Sequence, residues 1–132
     1  MYLSAPINAF FKPTLHIEEG SAVVRMPVTP DMHHAAHAAH GAVYFKALDD
    51  AAFFAVQSLV EDVFVLTSTF QVHLLAPVVD GEMVATGKVV HQSKRLFIAE
   101  SVVEVGGKIV ARGNGTFMRS ALTLEGVAGY RD

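Results

Sequence analysis

Apolar and polar positions change period several times along the chain, and each change marks a predicted element. Residues 5–11 read as a short lead-in helix stopped near Pro13. A hairpin follows, its arms flanking Glu18-Glu19-Gly20 and its second arm covering 21–28. Pro27 and Pro30 then interrupt regular structure, so 29–39 is expected as a loop carrying His33, His34 and His37. From Gly41 to about Val60 apolar residues fall on every side, among them Ala47, Leu48, Ala51, Ala52, Phe54, Ala55 and Leu59. A helix apolar all round is a buried helix.

Four segments rich in β-branched residues come next, at 63–75, 82–91, 96–105 and 108–119, separated by turns at 77–81, 92–95 and 106–107. In the last of them Ile109, Ala111, Gly113, Gly115 and Phe117 share one face, and its small residues suggest close approach by a helix backbone, or alternatively a bulge. Residues 120–132 have no clear period and read as a tail. The order is one long buried helix followed by an antiparallel meander, with a hairpin in front. An α+β architecture, a twisted antiparallel sheet wrapped around one helix, satisfies all of these periods.

Composition narrows the classes. The chain has 132 residues, enough for one domain with a sizeable core, with 1–13 as its lead-in and 120–132 as its tail. It is 52% hydrophobic, yet no apolar run approaches the roughly 20 residues that span a bilayer. Self-association is the expected outlet for that surplus, which a monomer would show to water as apolar patches. A formal charge of −3 with no basic block gives no electrostatic footprint for nucleic acid. No secretory-type stretch opens the chain, and the absence of cysteine excludes disulfides and thiolate ligands; both fit a cytoplasmic location.

Against that background the acidic pair Asp49-Asp50, inside the most apolar helix, stands out. A carboxylate in apolar surroundings must be paired or hold a proton, so such positions are candidates for function. Lys46 lies at both i+3 and i+4 spacing from the two, which leaves one of them available for an ordinary ion pair.

Four stretches together carry a resemblance: His40-Gly41-Ala42 with Asp49 nine positions after the histidine, Phe70-Gln71-Val72-His73-Leu74-Leu75-Ala76-Pro77, Gly81-Glu82, and the segment from Val110 to Phe117. In their order and spacing the chain resembles the hotdog-fold acyl-CoA thioesterases of the phenylacetate-pathway (PaaI-like) kind. The likeness implies a hotdog fold and hydrolysis of an acyl- or aryl-CoA thioester, with no metal or redox cofactor. It implies that the N–H of Gly41 polarises the thioester carbonyl, as unpaired donors at a helix N-terminus can. Asp49 becomes the general base or nucleophile, Thr67 orients water, and His34 falls where relatives have an asparagine that binds the carbonyl. His40 either contacts substrate or only caps the helix. Ala42 replaces the second glycine of the family's motif.

Gly41 and Asp49 are eight residues apart, about 12 Å along one helix, yet both must reach a single carbonyl. A shared site, with Gly41 from one chain and Asp49 from another, resolves this, and the family is built that way. The expected partners are therefore a small-molecule acyl-CoA and a second copy of the chain in a dimer or tetramer. Lys94 and Arg95 in the turn after the second long strand, with Arg112, offer cations for coenzyme A phosphates.

Rival readings remain. The spacing of His33, His34, His37 and His40 permits a metal site, though without a recognised ligand signature. A non-catalytic acyl-CoA-binding module would keep pocket and dimer without turnover. A hotdog hydratase or dehydratase would pair a histidine with an acid in motifs not found in this sequence.

Overall fold

The computed structural model describes residues 2–125. Helix α1 (Asn8–Phe11) is shorter than its 5–11 expectation and ends at Lys12, whose φ of 51° is left-handed. Strands β1 (Thr14–Glu18) and β2 (Ser21–Pro27) form the front hairpin, turning at Gly20 with φ 79°. A 3-10 turn (Pro30–Met32) leads to helix α2 (Gly41–Gln57). Strands β3 (Val63–Leu74), β4 (Glu82–Gln92), β5 (Leu96–Val105) and β6 (Lys108–Thr123) complete the chain.

All six strands join one antiparallel sheet in the order β1-β2-β4-β5-β6-β3. Its concave face wraps α2, as the periodicity predicts. Ala47, Leu48, Ala51, Ala52, Ala55 and Val56 of the helix are buried against Met26, Met83, Ala85, Ala99, Val103 and Phe117. Complete burial of a side chain such as Leu48 contributes about 2 kcal/mol. The helix stops at Gln57 because its amide is drawn into the next segment: Nε2 donates to the carbonyls of Val60 and Val63, both at 2.9 Å, and Oε1 accepts from the amide of Val65 at 3.0 Å. Among the described residues no helix is long and apolar enough to cross a membrane.

Two expectations are corrected. Strand β6 runs on to Thr123 instead of ending at Arg119, because Thr123 pairs with Val63, Ser120 Oγ donates to the Phe64 carbonyl at 2.7 Å, and Arg119 grips Asp62 at 2.7 and 2.8 Å. The rest of the expected tail, from 126 onward, lies outside the described residues. Gly113 and Gly115 do not receive a helix, nor do they mark a bulge: a Cβ at either would meet the Phe70 ring, at 2.6 and 2.4 Å, so they form the bed on which that ring lies.

The glycine that admits the helix is Gly87 in β4, where a Cβ would stand 2.2 Å from the Ala51 carbonyl oxygen and 2.6 Å from the Ala52 nitrogen. Backbone cannot yield as a flexible side chain can. Gly87→Ala is therefore expected to lose about 3 kcal/mol in urea unfolding. A variant as stable as the parent would show that α2 is not seated on this residue.

Candidate active site

Three elements build the site. The loop before α2 brings His40 into extended backbone (ψ 146°), where its Nδ1 accepts the Ala42 N–H at 2.9 Å and caps the helix. The Val43 N–H is taken by the His40 carbonyl. This leaves the Gly41 N–H with no partner among the described residues, at the positive end of a 17-residue helix. Beside it lies a cleft of about 340 Å³, whose wall includes His34, Gly41, Tyr44, Leu74 and Ala76. A Cβ at Gly41 would meet only the Leu74 methyl, at 3.3 Å, so packing within the chain is not what keeps this position small.

Further along the helix the two adjacent carboxylates part company. Asp50 turns toward the N-terminal arm, where Lys46 Nζ and the Tyr2 hydroxyl both donate to its Oδ2 at 2.6 Å. Asp49 turns the other way, toward β3, and accepts from Thr67 Oγ1 at 2.9 Å. Its Oδ2 takes no hydrogen bond among the described residues. Burial pushes the Asp49 carboxyl above the usual carboxylate range; the Thr67 hydrogen bond and the Lys46 charge oppose this, and the Asp50 charge adds to it. The outcome is a half-buried acid with raised basicity and an uncommitted oxygen. Phe45 and Phe53, four residues to either side on the helix, flank it, and Phe45 meets Phe70 of β3 edge to face at 5.5 Å.

Asp49 and Thr67 are thus brought together, and so are His34 and Gly41, but the pairs are separate within one chain. Both glycine and acid lie on α2, about 12 Å apart. Lys94 and Arg95 line a different groove, of about 740 Å³, with Leu59, Phe97, Met118 and Arg119. Arg119 is committed to Asp62, whereas neither Lys94 nor Arg95 makes an ion pair among the described residues. Arg112 is exposed on β6 between the buried Ala111 and Gly113, on the convex face away from α2. The histidines disperse: His33 Nε2 bonds to the Val79 carbonyl at 2.7 Å, His34 Nδ1 accepts the Ala36 N–H at 3.0 Å, and among the described residues no three His, Asp or Glu side chains converge to hold a metal.

The family model of the thioesterase superfamily matches residues 36–111, more than half of the chain, and spans the helix, Asp49 and Thr67. The chain belongs to the thioesterase superfamily. Its fold is the hotdog fold. The thioesterase is similar to the PaaI protein of the Escherichia coli phenylacetic acid degradation operon, with 27% identity over 93% of this chain and 90% of that one and a TM-score of 0.85. A conserved Pseudomonas aeruginosa protein is 24% identical, covering 89% of this chain and 96% of its own, with a TM-score of 0.82. A Thermus thermophilus protein, also 24% identical, covers 88% and 98% with a TM-score of 0.82. Comparison with proteins of curated function finds no match.

Sequence reasoning missed Tyr2 as a partner of Asp50. Its only signal was an aromatic hydroxyl near the start of an otherwise apolar arm, which does not indicate where that arm packs.

Proposed function

We propose that this thioesterase hydrolyses acyl- or aryl-CoA thioesters as a dimer, with Asp49 as the catalytic carboxylate and Gly41 of the other subunit as oxyanion donor. The observation that carries this is the separate fate of the two carboxylates: Asp50 is neutralised by an ion pair with Lys46 and also accepts from Tyr2, while Asp49 accepts from the neutral Thr67 hydroxyl and has no ion pair among the described residues. Acting as a base, Asp49 removes a proton from water; the resulting hydroxide attacks the thioester carbon, the C–S bond breaks, and the proton passes to the departing coenzyme A thiolate. The oxyanion formed on the way gains from an unpaired N–H at a helix N-terminus. Thr67 and His34 position water and carbonyl, while His40 acts through its cap on Ala42. No metal or redox cofactor enters the reaction, and a cytoplasmic location suits a coenzyme A substrate.

The sheet edge supports the dimer. β3 is a terminal strand of 12 residues with Leu66, Gln71, His73 and Leu74 exposed, and a bare edge of that length invites strand pairing. Leu74 lies against Gly41, and Thr67 holds Asp49. An antiparallel β3–β3 pairing centred near Phe70 and Gln71 therefore brings the Gly41 of one subunit level with the Asp49 of the other. Lys94 and Arg95, without an ion pair among the described residues and on a groove of mixed polar and apolar lining, suit the phosphates of the nucleotide end.

The test is thiol release from short, long and aryl acyl-CoA substrates by the purified protein. At least one is expected to turn over, with Lys94→Gln/Arg95→Gln raising KM several-fold and leaving kcat in place. Saturable binding without thiol release would leave a binding module instead.

A further inference from the structure

The buried charges that the reaction does not use have their own logic. Lys46 stands three residues before Asp49 and four before Asp50, and both spacings let an ammonium reach a carboxylate on a helix. A Lys46–Asp49 pair would cover the free carboxylate oxygen and weaken it as a base. Instead Lys46 Nζ lies 2.6 Å from Asp50 Oδ2, and the two side chains are only 12% and 16% exposed.

The N-terminal arm enforces that choice. Lys46 Nζ sits 5.4 Å from the centre of the Tyr2 ring and 5.2 Å from that of Phe11, within reach of cation–π attraction. Tyr2 is itself buried, donates to the same Asp50 oxygen, and packs edge to face on Phe54 at 4.8 Å. The Asn8 side-chain amide fastens the arm by donating to the Tyr2 carbonyl at 2.8 Å. Lysine, acid and two rings thus form a closed set on one flank of α2, while Asp49 faces β3 on the other.

We propose that Asp50 and the arm residue Tyr2 are positioning residues: they hold Lys46 as a decoy partner, and so keep it off the catalytic carboxylate of Asp49. This rests on the thioesterase reading of Asp49 and adds to it a role for the N-terminal arm. The groups facing Asp49 are Thr67 from β3 and Asp50 and Lys46 from its own helix, with Tyr2 of the arm behind Asp50.

Asp50→Asn keeps the shape and a hydrogen-bond acceptor for Tyr2 but releases the lysine. Thiol release should fall about tenfold or more in kcat/KM, with the acid limb of its pH profile moved to lower pH, as one unit of carboxylate basicity corresponds to a factor of ten. Adding Lys46→Met to that variant should restore most of the loss, which no purely structural role of Asp50 would allow. Should Asp50→Asn fail to fold, Lys46→Met alone is the test: it removes a cation that the proposal gives no step of the reaction, so kcat/KM of the folded variant should stay at or above the parental value. A folded Asp50→Asn enzyme with an unmoved limb, a folded double variant no better than the single one, or a folded Lys46→Met enzyme that has lost activity would each overturn the proposal. An inactive parent protein, or an active Asp49→Asn variant, would instead remove the reading on which it stands.

Discussion

Asp49→Asn is expected to give a folded protein in which kcat for thioester hydrolysis has fallen by about 10² to 10⁴, the usual contribution of a positioned base. Asparagine can still accept the Thr67 hydrogen bond at the same place, so the loss isolates the charge. The stability change should run the opposite way. Burial raises the Asp49 carboxyl in the folded state, so the folded chain binds its proton more readily than the unfolded chain does. The resulting penalty is absent below the ordinary aspartate range, grows as pH rises toward the raised folded value, and persists above it. At pH 7 the asparagine variant escapes that penalty, and its midpoint in thermal unfolding should equal or exceed the parent's. The acid limb of kcat/KM in the parent should likewise lie above the usual aspartate range. Unchanged turnover in Asp49→Asn would remove the residue from the reaction.

Gly41→Pro is the second large effect. Gly41 is the first residue of α2, and proline is well accommodated at that position, where its missing N–H costs the helix nothing. The preceding His40 already has the extended backbone that a following proline requires. What the substitution removes is the free N–H, and kcat should drop by about 10² to 10³. Mixing Asp49→Asn and Gly41→Pro chains then separates a shared site from a private one. Each homodimer lacks one of the two groups at both of its sites, but a mixed dimer carries one site with both groups intact. Random pairing should therefore recover about a quarter of the parental rate. No recovery after verified subunit exchange would mean that glycine and acid do not act across subunits.

Much of this was legible in the residues. The all-round apolar stretch from Gly41 gave the buried helix, and β-branched runs between turns gave the long strands, because burial and pleat impose those periods directly. Glycine was harder to read. Gly113 and Gly115 announced that something approaches closely without saying what, and it was the ring of Phe70 from a strand some 40 positions earlier. Gly87 gives a fainter signal: it follows Met83 and Ala85 on the same face, a series of shrinking side chains that tracks the narrowing gap to α2. Within the site, the motif selected Asp49 over Asp50, but the physical distinction was invisible in sequence. Neighbours on a helix point about 100° apart, and only packing against β3 on one side and the arm on the other shows which carboxylate is consumed by Lys46.

The seat of α2 on Gly87 gives the helix its tightest hold away from its midpoint. Contact is tightest at Ala51 and Ala52, directly after the acid pair, and Ser101 Oγ fastens the Leu48 carbonyl beside it at 2.9 Å. Gly41 lies ten residues out, about 15 Å from that point. The Asp49 carboxylate therefore stands beside the firmest hold on the helix, and the Gly41 amide at its far end.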